Sequence, residues 1–290
     1  MKPIRPTESP GSAFSLVAEL LCAACLVFTC GCDQKTEVVP NTEPAHAQQT
    51  DPFHKQFLGY KAKAAQGDGE AQFNLGIGYA NGQGVDKDTV EAAKWYCKAA
   101  DQNHAGAQFE LGNCYNDGDG VKQDSAEAVK WYRKAAEQNH VEAQTFLAGC
   151  YCDGNGVKED YAEAVKWYRK AADQNYPEGQ YCLGGCYYDG TGVKLDYLQA
   201  VKWYRKAAEQ NHVEAQFKLG NCYDTGQGVE KDYAEAYAWY NLAAKTYELA
   251  AQHRDALEKK LSPQQVGDAQ KHTKKLRDQI EAKLKRAGGR

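Results

Sequence analysis

The sequence predicts an all-α solenoid of stacked helix pairs, and three observations carry that expectation. A Trp-Tyr pair at Trp95-Tyr96 returns at Trp131-Tyr132, Trp167-Tyr168, Trp203-Tyr204 and Trp239-Tyr240, always 36 residues on. A Gly-x-Gly-Val turn precedes every pair, from Gly82 and Gly84 in the first unit to Gly226 and Gly228 in the fifth. Between turn and pair stands an aspartate with Glu or Gln three positions later: Asp88 with Glu91, Asp124 with Glu127, Asp160 with Glu163, Asp196 with Gln199, Asp232 with Glu235. A fixed period of this size marks stacked repeats, in which no unit buries its apolar face alone.

Residues 1–31 read as a signal segment. The apolar run from Leu20 to Thr29 is too short to span a membrane. Lys2 and Arg5 precede it, although Glu8 and Glu19 are unusual there. Thr29-Cys30-Gly31-Cys32 resembles a bacterial lipobox with Cys32 as the lipidated residue, departing at Thr29, where that pattern prefers leucine. Asp33 resembles the inner-membrane retention signal of some bacterial lipoproteins. The chain is therefore expected to be exported, as a periplasmic or membrane-anchored lipoprotein; the alternative is an uncleaved hydrophobic N-terminal helix. Residues 32–53 carry Pro40, Pro44 and Pro52 without an apolar period and read as a flexible linker.

Each unit opens with a short amphipathic helix, such as Ala71 to Tyr79, in which Ala71, Leu75 and Tyr79 share a face. The first turn glycine suits a left-handed helix end and the second a tight turn. The aspartate and its Glu or Gln form a capping box for the second helix, where Ala92, Tyr96 and Ala99 or Ala100 make the buried stripe and Trp95 widens it. Pro177 falls where a first helix begins.

The set Ala-x3-Leu-Gly-x2-Tyr, Gly-x-Gly-Val, Asp-x2-Glu-Ala and Trp-Tyr-x-Lys-Ala-Ala resembles the Sel1-like repeat, a relative of the tetratricopeptide repeat. The resemblance covers residues 69–104, 105–140, 141–176, 177–212 and 213–248, and implies a right-handed α-solenoid of the kind found in adaptor and scaffold proteins. Departures are Ala148 in place of glycine, and Ala238 and Leu242 in place of lysine. Residues 54–68, with Gly59 in the tryptophan place, read as an N-terminal capping half-repeat, and 249–290 as C-terminal capping helices with a basic tail.

Positions that stay fixed across units are expected to contact neighbouring units, and positions that vary to meet solvent or a partner. On the first helices the varied positions fall on one face, which in superhelical repeats is the concave side. A partner-binding surface is therefore placed at Asn74, Glu110, Asn113, Phe146, Cys152, Cys182, Tyr188, Lys218, Asn221 and Asp224. The competing reading is drift on a solvated face. The second helices carry a basic row, Lys94 and Lys98 in the first unit, whose cations have acids within helical reach.

Charge argues against nucleic acid: residues 32–245 hold 22 Lys+Arg against 31 Asp+Glu, a balance of −9, and only 246–290 is basic, with 11 against 6. Cys114, Cys150, Cys186 and Cys222 form a ladder at the repeat period. Stacked helices lie about 8–10 Å apart and a disulfide needs Cα atoms within about 7 Å, so equivalent rungs should not bridge. Cys152 and Cys182 stand off the ladder, open to one irregular disulfide or to free thiols. Cysteine-rich bacterial relatives pair one cysteine from each helix of a unit, and here only Cys97 lies on a second helix.

His104, His140 and His212 also recur at the period, too far apart to share a metal, and are assigned to packing where helices begin. The glycine turns follow helices rather than strands and lack Gly-Lys-Ser or Gly-Lys-Thr. Past residue 32 the serines are Ser125 and Ser262, and neither begins Ser-x2-Lys. In the tail, Ser262-Pro263-Gln264-Gln265 forms a capping box ahead of a stripe at Val266, Ala269, Leu276, Ile280 and Leu284, whose nearer half should cap the last unit while the basic far end frays or pairs with a partner helix.

The expectation is a non-catalytic scaffold or adaptor at the bacterial envelope, needing no cofactor or metal and binding a protein or peptide. The alternative is a β-lactam-binding or weakly hydrolytic envelope enzyme.

Overall fold

The computed structural model describes residues 51–288. The signal segment, Cys32 and the linker up to residue 50 lie outside them. Among the described residues the regular structure is helical: α1 (Pro52–Ala64), α2 (Gly69–Asn81), α3 (Thr89–Asp101), α4 (Ala105–Asp117), α5 (Ser125–Glu137), α6 (Val141–Asp153), α7 (Tyr161–Asp173), α8 (Pro177–Asp189), α9 (Tyr197–Ala208), α10 (Val213–Thr225), α11 (Tyr233–Ala243), α12 (Glu248–Glu258) and α13 (Pro263–Gly288). None is long and apolar enough to cross a membrane. Helices α2 to α11 form five pairs, each first helix packed on the second helix of its own unit and on the helix before it. Helix α1 begins at Pro52, so Pro52 and Phe53, assigned to the linker from sequence, are helical, with Asp51 capping them.

Local chemistry fixes these pairs. Each second helix starts at an aspartate whose carboxylate accepts the backbone N–H three residues on, as Asp88 does from Glu91 at 2.9 Å. The expected capping box is only half made: Glu91, Glu127 and Glu163 turn away to bind Lys94, Lys130 and Lys166 at 2.6–2.8 Å. Ser262 and Gln265 complete theirs, each bonding the other's backbone N–H.

The first turn glycine ends each first helix in the left-handed region, as Gly118 does at φ +80°. The second does more than turn. A Cβ on Gly120 would stand 2.0 Å from the Thr89 carbonyl oxygen, so this glycine lets one unit's turn touch the start of the previous unit's second helix. Within a unit, Gly76, Gly112, Gly184 and Gly220 leave room for the rings of Tyr96, Tyr132, Tyr204 and Tyr240, and unit 3 buries Ala148 at that place.

A line of buried glutamines, not anticipated from sequence, runs through the stack. Gln108 donates to the Ala100 carbonyl of the preceding unit at 3.3 Å and accepts from Gln138 at 2.7 Å. Gln72, Gln144 and Gln180 do the same with Ala64 and Gln102, Ala136 and Gln174, and Ala172 and Gln210. At the fifth rung the partner is missing: Thr246 replaces the glutamine, and the buried Gln216 Oε1 has no hydrogen-bond partner. There the connection also changes. Asn103, Asn139, Asn175 and Asn211 turn the four earlier links at φ near +65°, whereas Glu248, assigned to unit 5 from the spacing, is the first residue of α12.

Helix α13 lies along α11 rather than pairing with α12. Ala269 and Thr273 are fully covered, and Ile280 joins Trp239 and Ala200 in the core of unit 4. Leu284, expected on the buried stripe, is exposed. Toward the far end of α13, Lys283 binds Glu209, beyond the end of α9, at 2.7 Å.

Candidate binding face

The first helices bury Ala71, Leu75 and their counterparts, which fixes the angle at which the varied positions stand. Phe146 is the most exposed of them, 48% accessible, and its ring lies edge-on to Phe109 at 5.2 Å and 5.6 Å from Tyr132. Unit 3 has moved its aromatic by one position: Thr145 is buried where the other units hold Phe73, Phe109, Tyr181 or Phe217, and Phe146 is turned out.

Asn74, Glu110, Asn113, Cys152, Tyr188, Lys218, Asn221 and Asp224 are partly exposed. Cys182 is not: it is 7% accessible and close to the Glu178 carboxylate, so it lies beneath the face and is withdrawn from the contact surface. Two asparagines are committed to their own unit. Asn113 accepts from the Tyr132 hydroxyl at 2.8 Å and Asn221 from that of Tyr240 at 2.6 Å. The Tyr188 hydroxyl donates to Gln227 at 2.6 Å.

Between units 1 and 2 this face opens into a cavity of about 390 Å³, within the range of ~300–1,000 Å³ typical of ligand sites. It gathers Glu110, Asn113 and Phe146 from the predicted set. Tyr96, Lys87, Asp117 and Asp119, all outside the predicted set, join them. One signal was available: the residue between the turn glycines varies as Gln83, Asp119, Asn155, Thr191 and Gln227, as a contact position does. Burial pushes the Glu110 carboxyl above its ordinary range, a shift opposed by the hydrogen bond from Asn113 at 3.2 Å and reinforced by the charge of Glu142. Tyr188, Lys218 and Asp224 do not line this cavity.

Most of the basic row of the second helices is engaged within the chain. Lys98, Lys134, Lys170 and Lys206 lie 3.6–4.0 Å over the rings of Trp95, Trp131, Trp167 and Trp203. Arg133 and Arg169 donate to the hydroxyls of Tyr151 and Tyr187, and Arg205 to Tyr223.

The recurrent histidines are helix caps. Nδ1 of His104, His140 and His212 accepts the N–H of Ala107, Ala143 and Ala215 at 3.0, 3.3 and 3.2 Å. Tyr176 makes no such bond. All seven cysteines of the described residues are unbridged. Burial pushes the thiols of Cys150, Cys152 and Cys222 up to about 11 and those of Cys114 and Cys186 up to about 12, away from the low values that make a nucleophilic thiolate. Among the described residues no group of three His, Cys, Asp or Glu is arranged to hold a metal.

Stacked helix pairs with recurring joints and one varied face define a helical-repeat protein. The Sel1 repeat profile matches residues 69–104, 105–140, 141–176, 177–212 and 213–245, and the chain belongs to the Sel1 repeat family, whose members generally mediate protein–protein interaction and are typically non-catalytic. The Sel1 repeat protein of Oxalobacter formigenes is 38% identical over 70% of this chain and 82% of its own, with a TM-score of 0.63. The protective antigen c5321 of uropathogenic Escherichia coli, which displays the same repeat fold, is 29% identical over 81% of this chain and 59% of its own, with a TM-score of 0.53. No curated protein matches the chain.

Proposed function

We propose that this protein is a non-catalytic scaffold or adaptor that binds a protein or peptide partner on the concave face of its first helices. The carrying observation is the division of labour among side chains: the repeated tyrosines, arginines and histidines are spent on joints between helices, while the varied face keeps a half-exposed Phe146 beside an open cavity. Binding energy on such a surface rests on a few anchors. The place of action we propose is the bacterial envelope, with a lipid anchor at Cys32, on the strength of the N-terminal sequence. The raised thiol values and the absence of a Ser-x2-Lys motif weigh against the β-lactam-processing alternative.

Crosslinking of the chain in its native membrane, followed by identification of what is captured, tests this reading. Alanine at Phe146, Tyr188 and Lys218 together should abolish capture while leaving a cooperative melt. Capture that survives the triple variant places the binding face elsewhere, and turnover of β-lactam or ester reporters, lost on thiol blocking, would replace the scaffold with an enzyme.

A further inference from the structure

The cavity between units 1 and 2 has a definite chemical preference. Its walls are the rings of Tyr96 and Phe146, and three carboxylates, those of Glu110, Asp117 and Asp119, face one ammonium, that of Lys87. Among the described residues no cation pairs with Glu110, whose hydrogen bond comes from Asn113. Asn113 in turn has its oxygen occupied by Tyr132. A purely apolar guest would strip water from these carboxylates and return nothing, which is costly. A guanidinium would supply several donors in a plane, able to reach more than one carboxylate while its face rests on an aromatic ring. The chain uses that pairing elsewhere, with Arg133 and Arg169 set against Tyr151 and Tyr187.

We propose that this cavity is the specificity pocket of the binding face and receives an arginine side chain from an extended segment of the protein partner, its guanidinium on Glu110 and Asp119 and its alkyl stem along Phe146. The proposal rests on the scaffold reading and adds the chemistry of what is recognised. Glu110 then has a reason to occupy a site where burial disfavours its charge, since the partner provides the missing counter-ion.

Capped heptapeptides that differ only in the central residue (arginine, lysine, leucine or glutamate), together with free agmatine, are titrated against the full chain. The arginine peptide should bind best, the glutamate peptide not at all, and agmatine at least tenfold more weakly than the arginine peptide. The double variant E110Q/D119N removes two charge-assisted contacts, of which even one is worth about tenfold, and should weaken the arginine peptide by at least that, while E159Q, on an exposed loop of unit 3, should leave it unchanged. E110Q removes a disfavoured charge, so its melting temperature should hold or rise, which separates lost binding from lost fold. Equal binding of leucine and arginine peptides, sensitive to Phe146→Ala, overturns the arginine assignment and leaves the scaffold reading standing. Agmatine binding as tightly as the peptide overturns the peptide source. Failure of every peptide to bind also overturns the pocket, while the crosslinking experiment decides the scaffold reading separately.

Discussion

His212 joins two repeats: its Nε2 lies 2.8 Å from Oε2 of Glu178 in its own unit, while its Nδ1 accepts the N–H of Ala215, in the next, at 3.2 Å. An accepting Nδ1 places the proton on Nε2, so one tautomer serves both contacts. His104 repeats the arrangement with Glu70 and Ala107 at 2.9 and 3.0 Å. Phe73 lies 4.5 Å from the His104 imidazole and Tyr181 4.9 Å from that of His212, so ring contact, cap and hydrogen bond to a carboxylate converge on each joint.

Replacing His212 by alanine removes the cap and the Glu178 contact together and should cost about 1–2 kcal/mol. His212→Asn, a good cap without reach to Glu178, should recover about half of that. Urea titration of the three proteins measures the difference; equal losses in both variants would show that the cap contributes nothing.

His140 gives stability a pH dependence. Burial lowers its folded value below that of a free imidazole, outweighing the charge of Glu142. A depressed folded value means that the unfolded chain takes up the proton first. The contribution is therefore present above the unfolded value, about 6.5, and is lost as pH falls through the lower folded one. Melting temperatures of the wild type and His140→Asn, recorded from pH 8 to pH 5, should converge on acidification, with the wild type losing more.

Gly118 and Gly120 sit in one turn with similar positive φ, +80° and +72°, but different surroundings. Alanine at Gly118 meets side-chain atoms of Gln123 at 3.3 Å and should cost about 1–2 kcal/mol for the left-handed backbone. Alanine at Gly120 adds a collision with the Thr89 carbonyl, 2.0 Å away, and should cost at least about 2 kcal/mol more. Equal losses in the two variants, by chemical denaturation, would refute the close approach between units.

The glutamine line ends unfinished at Gln216. Thr246→Gln restores the donor that Gln102, Gln138, Gln174 and Gln210 supply to the earlier rungs, and should stabilise the chain by about 1 kcal/mol. A calorimetric melt reads this; an unchanged or lower midpoint would mean that the altered link before α12 keeps the new side chain out of reach.

The repeat, its period and its caps were legible because each depends on residue types at short fixed separations. Asp88 and Gly82 announce a helix start and a helix end whatever surrounds them. Phe146 was legible by comparison between units, since its exposure follows from standing where the other units hold polar or small residues. Cys182, on the same varied face, was misread because variation records freedom from the repeat's own packing rules and says nothing of what lies above a small side chain. The acidic cavity was harder to read for a different reason: Tyr96, Glu110, Asp119 and Phe146 come from four separate segments of three units, and stacking brings them to one place. The histidines were located but not explained, because their role as caps depends on which ring nitrogen faces the backbone.

The return of α13 along α11 also sets an order in time. Units 1 to 3 close over neighbours that precede or immediately follow them in the chain, so they can stack as they leave the ribosome. The core of unit 4 waits for Ile280, some eighty residues later than Ala200 beside it. Until α13 has been made, the apolar seam around Trp239 is open, and that helix is the one that seals it.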